Sequence, residues 1–345
     1  MASPELKKRT LGYAIDLDRI DPFTALKNAS LAKEAGFDVI WVFDHFHPWH
    51  HTNAKGSHAW VWMTAALEHV SGITFGTSVT APLFRYHPAI VAQAFATMRN
   101  IYGPRVILGV GTGEAMNEVP LGFRWPPMIE RRERVVEAVT LMRKLCTEEF
   151  VDFAGKHYTL KAANLYGKAN FPIYIAGFGP KMARVAGRLA DGFITSNQPV
   201  EHFKNTLVPA IREGARSAGR DYEKITNVTE IDVSYDEDYE KALAPVREAA
   251  ASFATPGIDN VTFTSPIADP RAIEGLQVNV TDQQLSDALK ICAMSNSPDT
   301  HIERIESAFE AGFDHVYIYS VSPSDTKCIK MYSEKVLPYF VAQRD

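Results

Sequence analysis

Short apolar segments alternate with longer amphipathic segments along most of this 345-residue chain. The apolar segments are rich in β-branched and aromatic residues, and they predict strands at 11–15, 38–43, 72–79, 105–110, 172–176, 191–195, 226–234 and 314–320. The amphipathic segments predict helices at 23–35, 59–69, 88–100, 128–146, 180–189, 200–218, 237–251, 299–311 and 325–341. This alternation is typical of βαβ units with a parallel sheet, so the predicted fold class is α/β.

One pattern occurs near both ends of the chain. Glu34-Ala-Gly-Phe-Asp38 and Glu310-Ala-Gly-Phe-Asp314 each join a predicted helix to a predicted strand, and a looser copy occupies 188–195. The glycine supplies the left-handed backbone that turns a helix into a strand. Eight such units favour a (β/α)8 TIM barrel over an open doubly wound sheet, which normally has fewer strands. We predict one barrel domain over residues 1–345. Its insertions, where periodicity is weak, lie near 115–127, 151–171 and 252–282.

Composition narrows the class of protein. The chain is 46% hydrophobic and 22% charged, which suits a large buried core and argues against disorder. Its net charge of −5 and its scattered basic residues argue against a nucleic-acid partner. No apolar stretch reaches the ~18 residues of a membrane span or follows the polar first residues as in a signal peptide. Cys146, Cys292 and Cys328 lack CxxC spacing, so we expect a cytoplasmic protein without membrane contact.

The first candidate for chemistry is His45. In a barrel, catalytic groups follow the C-terminal ends of strands, and His45 follows the second predicted strand beside Asp44. A neutral imidazole there could accept a proton near neutral pH. Residues 44–51 hold four of the eleven histidines, and we interpret the others, with His58, as ordinary loop residues. A zinc site is the alternative for the His-x-His pattern, but no third ligand follows a later strand, so we predict no metal.

Glycines and a carboxylate follow the fourth predicted strand. The segment Gly109-Val-Gly-Thr-Gly-Glu114 would let the backbone approach a ligand closely. Prolines intervene before the next predicted helix, which disfavours a Rossmann nicotinamide site. Glu114 is either an ordinary solvated carboxylate or the partner of His45 in an acid and base pair across the barrel mouth. Trp49, in a loop after Pro48, is a candidate pocket wall.

Longer blocks around these residues resemble the bacterial-luciferase-like superfamily. The blocks are DHFHPWHH (44–51), WVWMTAAL (60–67), GTSV (76–79), FRYHPAIVAQAFATM (84–98) and RVILGVGTGEAMNEVP (105–120). They are most similar to the branch that uses the deazaflavin coenzyme F420, which includes secondary alcohol and glucose-6-phosphate dehydrogenases. The resemblance is dense over 38–120 and weaker to about 220. It implies barrel topology for the whole chain.

The resemblance also implies roles for individual residues. His45 would take the hydroxyl proton while a hydride leaves the alcohol carbon for C5 of the deazaflavin. Trp49 would hold the substrate against that base, and Glu114 would protonate or hydrogen-bond the reduced ring. The implied cofactor contacts are Asp44, Ser78, Val79, Asn117, Gly177, Phe178 and Gly179. The family further implies a homodimer and a non-prolyl cis peptide between Ser78 and Val79.

The substrate prediction depends on missing cations. The sugar-phosphate enzymes of this branch bind their phosphate with lysines and an arginine, which make charge-assisted bonds to the dianion. This chain has Ser196 where a lysine is expected, lacks a cation near Thr264 and Ser265, and matches only at Lys290. We therefore expect a neutral small-molecule substrate, and an F420-dependent secondary alcohol dehydrogenase, because burying an unpaired dianion is costly. The alternatives are an F420-dependent glucose-6-phosphate dehydrogenase, an FMN-dependent luciferase-like monooxygenase, and a non-catalytic deazaflavin-binding protein.

Overall fold

The computed structural model describes residues 9–246, 265–275 and 280–343, and its centre is a closed barrel of parallel strands. The strands are β1 Thr10–Ile15, β2 Val39–Val42, β3 Thr74–Thr77, β4 Val106–Val110, β5 Val151–Ala154, β6 Thr159–Ala163, β7 Ile173–Ala176, β8 Gly192–Ser196, β9 Thr226–Ser234, β10 Ala293–Met294 and β11 His315–Ser320. Eight of them close the barrel in the order β1-β2-β3-β4-β7-β8-β9-β11. The predicted TIM barrel is confirmed, and all eight predicted strands belong to it.

Helices follow the barrel strands. They are α1 Pro22–Ala35, α2 Ala59–His69, α3 Pro88–Tyr102, α4 Ala115–Glu118, α5 Met128–Thr147, α6 Pro180–Leu189, α7 Val200–His202, α8 Val208–Ser217, α9 Tyr239–Leu243, α10 Pro270–Gly275, α11 Asp282–Ile291, α12 Pro298–Ala311, α13 Asp325–Met331 and α14 Leu337–Val341. Five-residue π-helical segments, Phe203–Leu207 and Tyr332–Val336, join α7 to α8 and α13 to α14. The long helices predicted at 200–218 and 325–341 are therefore continuous, with a wider turn in the middle of each.

Three sequence expectations need correction. The helix predicted at 237–251 is a short helix, α9, which ends at Leu243, and residues 247–251 lie outside the described residues. The insertion at 151–171 is not irregular throughout, because β5 and β6 form an antiparallel hairpin. Helix α11 and the two-residue strand β10, which pairs with β9, were not predicted. All three segments are short or polar, so hydrophobic periodicity carries little signal there.

The barrel interior is filled below its mouth by large side chains. The cluster comprises Ala14, Val39, Trp41, Ile107, Tyr174, Ile194, Val228 and Tyr317. The Trp41 indole donates a hydrogen bond to Nε2 of His315 at 2.9 Å. Glycines on neighbouring strands make room for these rings, since a Cβ on Gly12 would lie 2.8 Å from His315 and one on Gly76 would lie 2.6 Å from Trp41. The packed floor leaves only the C-terminal mouth of the barrel for chemistry.

Two further findings concern disulfide bonds and membrane-spanning helices. Cys146, Cys292 and Cys328 are all buried and unpaired, so none forms a disulfide. Within the described ranges, no helix is both long and apolar enough to cross a membrane.

Candidate active site

The structure brings the three predicted catalytic residues together at the barrel mouth. His45 follows β2 and Glu114 follows β4, and Nε2 of His45 lies 3.7 Å from a carboxylate oxygen of Glu114. The ring of Trp49 lies 6.4 Å, centroid to centroid, from the imidazole. The imidazole also stacks on Phe43. One ring nitrogen thus faces a carboxylate across the mouth, and an indole stands beside it.

The other nitrogen of His45 is anchored by a carboxylate that the sequence analysis missed. Nδ1 of His45 donates to Asp18 at 2.7 Å, and the backbone amide of Trp49 donates to the same oxygen at 3.2 Å. The amide of Asp18 donates to Asp16 at 2.8 Å, and the Tyr319 hydroxyl donates to the second oxygen of Asp16 at 2.6 Å. Asp18 therefore fixes which tautomer a neutral His45 adopts and leaves Nε2 free to exchange a proton.

These carboxylates shift one another's proton affinity. Burial disfavours a charged His45, but the charge and hydrogen bond of Asp18, with the charge of Glu114, outweigh it and raise the His45 pKa to about 9. Burial raises the pKa of Glu114. Burial and the nearby Asp18 raise the pKa of Asp16 to about 6. At neutral pH the imidazole is therefore protonated, and it becomes a base only as the pH approaches 9.

Asp44 and Asn117 connect the loops that carry the pair. The Asp44 carboxylate is buried and accepts from Arg85 at 2.9 Å and from Thr80 at 2.7 Å. Asn117 accepts from the Phe46 amide at 2.7 Å and donates to Glu114 at 3.3 Å. Asp44 thus ties the end of β2 to the loop after β3, and Asn117 joins the loop after His45 to Glu114. The cofactor contacts expected of both residues stay predictions.

One wall of the mouth is formed by backbone that bulges inward. The Ser78–Val79 peptide bond is cis, as the resemblance implied. The Ser78 hydroxyl shares a 2.6 Å hydrogen bond with the Tyr317 hydroxyl. A Cβ on Gly111 would lie 2.5 Å from the Val79 side chain, and one on Gly109 would lie 2.0 Å from the carbonyl oxygen of Thr77. Glycine is therefore required at both positions for the wall to take this shape.

Beside this wall, the segment from Gly177 to Gly179 follows β7, the strand that pairs with β4. The Gly177 amide donates to Ile194, and Gly179 is the cap of α6, with no side chain bonded to the helix terminus. A Cβ on Gly179 would meet nothing within 4 Å, so the space beside it is open. The first amides of a helix have no partner within the helix and favour anions. The segment therefore suits a phosphate group.

More carboxylates line the mouth on β9. Burial, reinforced by Asp232, raises the pKa of Glu230 to about 8, and the charges of His45 and Asp16 also act on it. Asp232 pairs with Asn197, whose amide donates to it at 2.8 Å. Sequence reasoning missed both acids. Their signal was a pair of carboxylates, two residues apart, near the C-terminal end of the strand predicted at 226–234.

Few cations lie near these acids: the charge of Arg19 acts on Asp16, and that of Arg131 acts on Glu114. Arg85 is paired with Asp44, and Lys290, the one predicted match to a phosphate clamp, lies exposed on α11 and pairs with Asp287 at 2.6 Å. Ser265 is buried, and its carbonyl accepts from the Ala115 amide; Thr264 lies outside the described residues. In the sequence, residues 248–289 contain a single lysine or arginine, Arg271, which binds Asp269.

Two other histidines near this cluster, His47 and His58, pack against aromatic residues or cap a helix. His58 caps α2, accepting from the Trp60 amide at 3.2 Å, and its other nitrogen lies 3.2 Å from the Tyr86 hydroxyl. The ring of His47 stacks on Phe46. In the part of the chain that the structure describes, no three or more histidines, cysteines or carboxylates are grouped so as to hold a metal ion.

Known proteins similar to this chain carry related names. The family model described as luciferase-like monooxygenase matches residues 11–315. A relative from Nakamurella multipartita is 36% identical over 334 residues, 95% of each chain. Another, from Mycolicibacterium fortuitum, is 38% identical over 95% of this chain and 97% of its own length. Both are named F420-dependent glucose-6-phosphate dehydrogenase.

A solved structure is similar along nearly the whole chain. It is an F420-dependent secondary alcohol dehydrogenase in complex with an F420-acetone adduct. It is 37% identical, covers 96% of this chain and 98% of its own, and superposes with a TM-score of 0.89. The resemblance drawn from the sequence blocks is therefore confirmed. With a family model over most of its length and relatives above one third identity, this chain belongs to the luciferase-like monooxygenase family.

Proposed function

We propose that this protein is an F420-dependent oxidoreductase that moves a hydride from the carbon of a CH–OH group, with His45 exchanging the hydroxyl proton. The curated relatives and the similar solved structure are all named for F420-dependent oxidation of such a group, which supports the coenzyme and the reaction class. The His45, Asp18 and Glu114 constellation supports the proton transfer.

Two parts of the described chain fit the coenzyme. The open space beside Gly179, at the unpartnered N-terminus of α6, would hold its phosphate. The bulged wall of Val79 and Gly111 is shaped by backbone close to Asn117 and Glu114, which would contact the ring system. When bound, coenzyme F420 supplies the hydride acceptor at C5 of its deazaflavin ring.

The protein's own residues manage the proton. Oxidation of the alcohol to a carbonyl releases one hydride and one proton, and Nε2 of His45 takes that proton when the imidazole is neutral. Asp18 holds Nδ1 at 2.7 Å and stabilises the imidazolium that forms. Trp49, packed beside the imidazole, covers the substrate and excludes water. In the reverse direction the protonated His45 donates to the carbonyl oxygen.

The choice of substrate rests on the charge of the mouth. Asp16, Asp18, Glu114, Glu230 and Asp232 lie around it. The nearby cations are engaged: protonated His45 lies between Asp18 and Glu114, Arg85 pairs with Asp44, and Arg131 donates to backbone carbonyls. A phosphate dianion placed there would face carboxylates at short range in a partly buried site, which costs binding free energy. This observation supports a neutral secondary alcohol.

Glucose 6-phosphate is the second candidate substrate, and a specific finding favours it. Curated relatives at 36% and 38% identity are named for it, whereas the alcohol dehydrogenase expected from the sequence is the name of a solved structure at 37% identity. The names therefore favour the sugar phosphate, and the charge of the mouth favours the neutral alcohol.

The test is loss of the visible absorbance of oxidised F420 on mixing with the purified protein. 2-Propanol and glucose 6-phosphate are supplied separately at equal concentration. Bleaching with the alcohol alone is the expected result. Bleaching with the sugar phosphate alone would replace the substrate while keeping the reaction class. No bleaching with either, together with FMN-dependent oxygen consumption, would overturn the proposal in favour of a monooxygenase.

A further inference from the structure

A buried arginine lies behind Glu114 without an ion-pair partner. Arg131, near the N-terminus of α5, is 5% exposed, and its Nη1 donates to the carbonyl oxygens of Gly113 at 3.2 Å and Thr112 at 3.4 Å. Its Nε is buried without a hydrogen-bond partner, and it forms no ion pair with any carboxylate of the described ranges. Burying a charge without pairing it is costly, so this position requires a physical reason.

A second arginine binds backbone carbonyls at the other end of the barrel, where a cation is favoured. Arg105 comes directly before β4 and donates to the carbonyls of Leu67 and Val70 at the C-terminal end of α2. It is partly exposed. The dipole of a helix favours a cation at that end and disfavours one near the N-terminus, where Arg131 lies. Arg131 is therefore placed unfavourably both by its burial and by the dipole of α5.

The insertion that follows α4 covers this guanidinium. The Trp125 indole lies over it, with 4.1 Å between the guanidinium carbon of Arg131 and the ring centroid. The same indole lies close to Gly113, where a Cβ would be 3.7 Å from the ring. Gly113 has left-handed backbone, with a φ of 69°. Arg131 thus holds the turn that directly precedes Glu114, and Trp125 shields the guanidinium from water.

Charges from four elements act on the Glu114 carboxylate. Burial raises the pKa of Glu114 most, and the charge of Asp18, after β1, adds to that effect. His45 after β2, Arg85 in the loop after β3 and Arg131 on α5 act in the opposite direction. His45 and Arg85 each have another carboxylate as a direct partner, so among the described residues Arg131 is the cation that Glu114 does not share. Burial lowers the pKa of Arg131 to about 10, so it stays charged at neutral pH.

Resting on the proposed function, we propose that Arg131 is a positioning residue that fixes the turn carrying Glu114 and keeps that carboxylate charged at the mouth. A charged Glu114, 3.7 Å from Nε2 of His45, stabilises the imidazolium that forms when His45 takes the hydroxyl proton. Arg131 therefore acts on the reaction through Glu114.

The experiment measures the pKa of Glu114 by carbon NMR of the side-chain carboxyl groups, with its signal assigned by loss in Glu114→Gln. Arg131→Met removes the charge at similar length, and Arg131→Lys keeps it. Arg105→Met is the matched control, because it also removes hydrogen bonds to carbonyls but lies at the other end of the barrel. Should Arg131→Met fail to fold, Arg131→Gln, which keeps a donor for the carbonyls, takes its place.

We expect Arg131→Met to raise the pKa of Glu114 by about 1 pH unit or more, the scale of one nearby opposite charge. Arg131→Lys and Arg105→Met should each change it by less than about half a pH unit. An unchanged pKa of Glu114 in Arg131→Met, or an equal rise in Arg131→Lys, would overturn the inference.

Turnover at pH 7 gives a second readout. Glu114→Gln should lower kcat/KM by about tenfold or more, the scale of a lost charge-assisted contact, and Arg131→Met should reproduce most of that loss. The double variant should match Glu114→Gln within about twofold, because Arg131 acts through Glu114. Losses that multiply in the double variant would contradict the inference. If the unaltered protein oxidised neither the alcohol nor the sugar phosphate, the proposed function would fail, while the NMR titration would still decide the role of Arg131.

Discussion

The barrel mouth differs in charge from a groove on the outer wall of the barrel, which lies between α5 and α6 and has a charged lining of Arg132, Glu133, Glu137, Lys156, Lys181, Arg184 and Arg188. The mouth gathers carboxylates, of which Asp16, Glu114 and Glu230 have a raised pKa because burial disfavours their charge. The groove gathers cations, and its carboxylates are engaged by the hairpin. The net charge of −5 is a sum over the whole chain, so it describes neither the acidic mouth nor the basic groove.

The two regions differ in charge and therefore suit different tasks. A buried cluster of acids around one imidazole tunes proton transfer and disfavours an anionic substrate. An open row of cations favours a flexible anion without desolvating it.

The largest effect is expected from His45→Ala. Loss of the group that exchanges the hydroxyl proton should lower kcat by about 10²–10⁴-fold. The Kd of the coenzyme should change by less than about twofold, because the proposed phosphate site lies at the N-terminus of α6, away from His45. His69→Ala, an exposed histidine at the end of α2, is the matched control and should keep full activity. Turnover of His45→Ala at the control's rate would remove this residue from the mechanism.

The next effect is on pH dependence. Because Asp18 and Glu114 hold the His45 pKa at about 9, little neutral imidazole exists at pH 7. The kcat/KM for alcohol oxidation should therefore rise toward pH 9, by at most about tenfold per unit, while carbonyl reduction falls over the same range. Asp18→Asn removes the anion that raises this pKa, so the rise should move to lower pH. A profile that Asp18→Asn leaves in place would contradict the assignment.

The rule that barrel chemistry follows strand ends located only part of this site. It predicted His45 and Glu114, and it applied equally to Asp16 and Asp18, which directly follow the strand predicted at 11–15. Those two were overlooked because no dense motif marked them. Glu230 could have been found as a carboxylate inside a predicted barrel strand, since burying one requires a functional or structural reason.

The groove could not have been predicted from sequence. Arg132 and Arg188 belong to separate helices, and only the packing of α5 beside α6 puts them in one groove. Likewise, nothing near Glu137 in the chain indicates that its carboxylate binds the hairpin turn some twenty residues later. The barrel itself was predictable because its strands are locally apolar and its helices locally periodic.

A moderate effect is expected when a cation is added to the mouth. Ser196 ends β8 directly beside Glu230 in the sheet register. Ser196→Lys should raise kcat/KM for glucose 6-phosphate by up to about tenfold, the scale of one charge-assisted bond, with Glu230 absorbing part of the new charge. Ser196→Gln matches the added bulk without the charge and should give no gain. A gain with glutamine equal to that with lysine would mean that shape, not charge, excludes the phosphate.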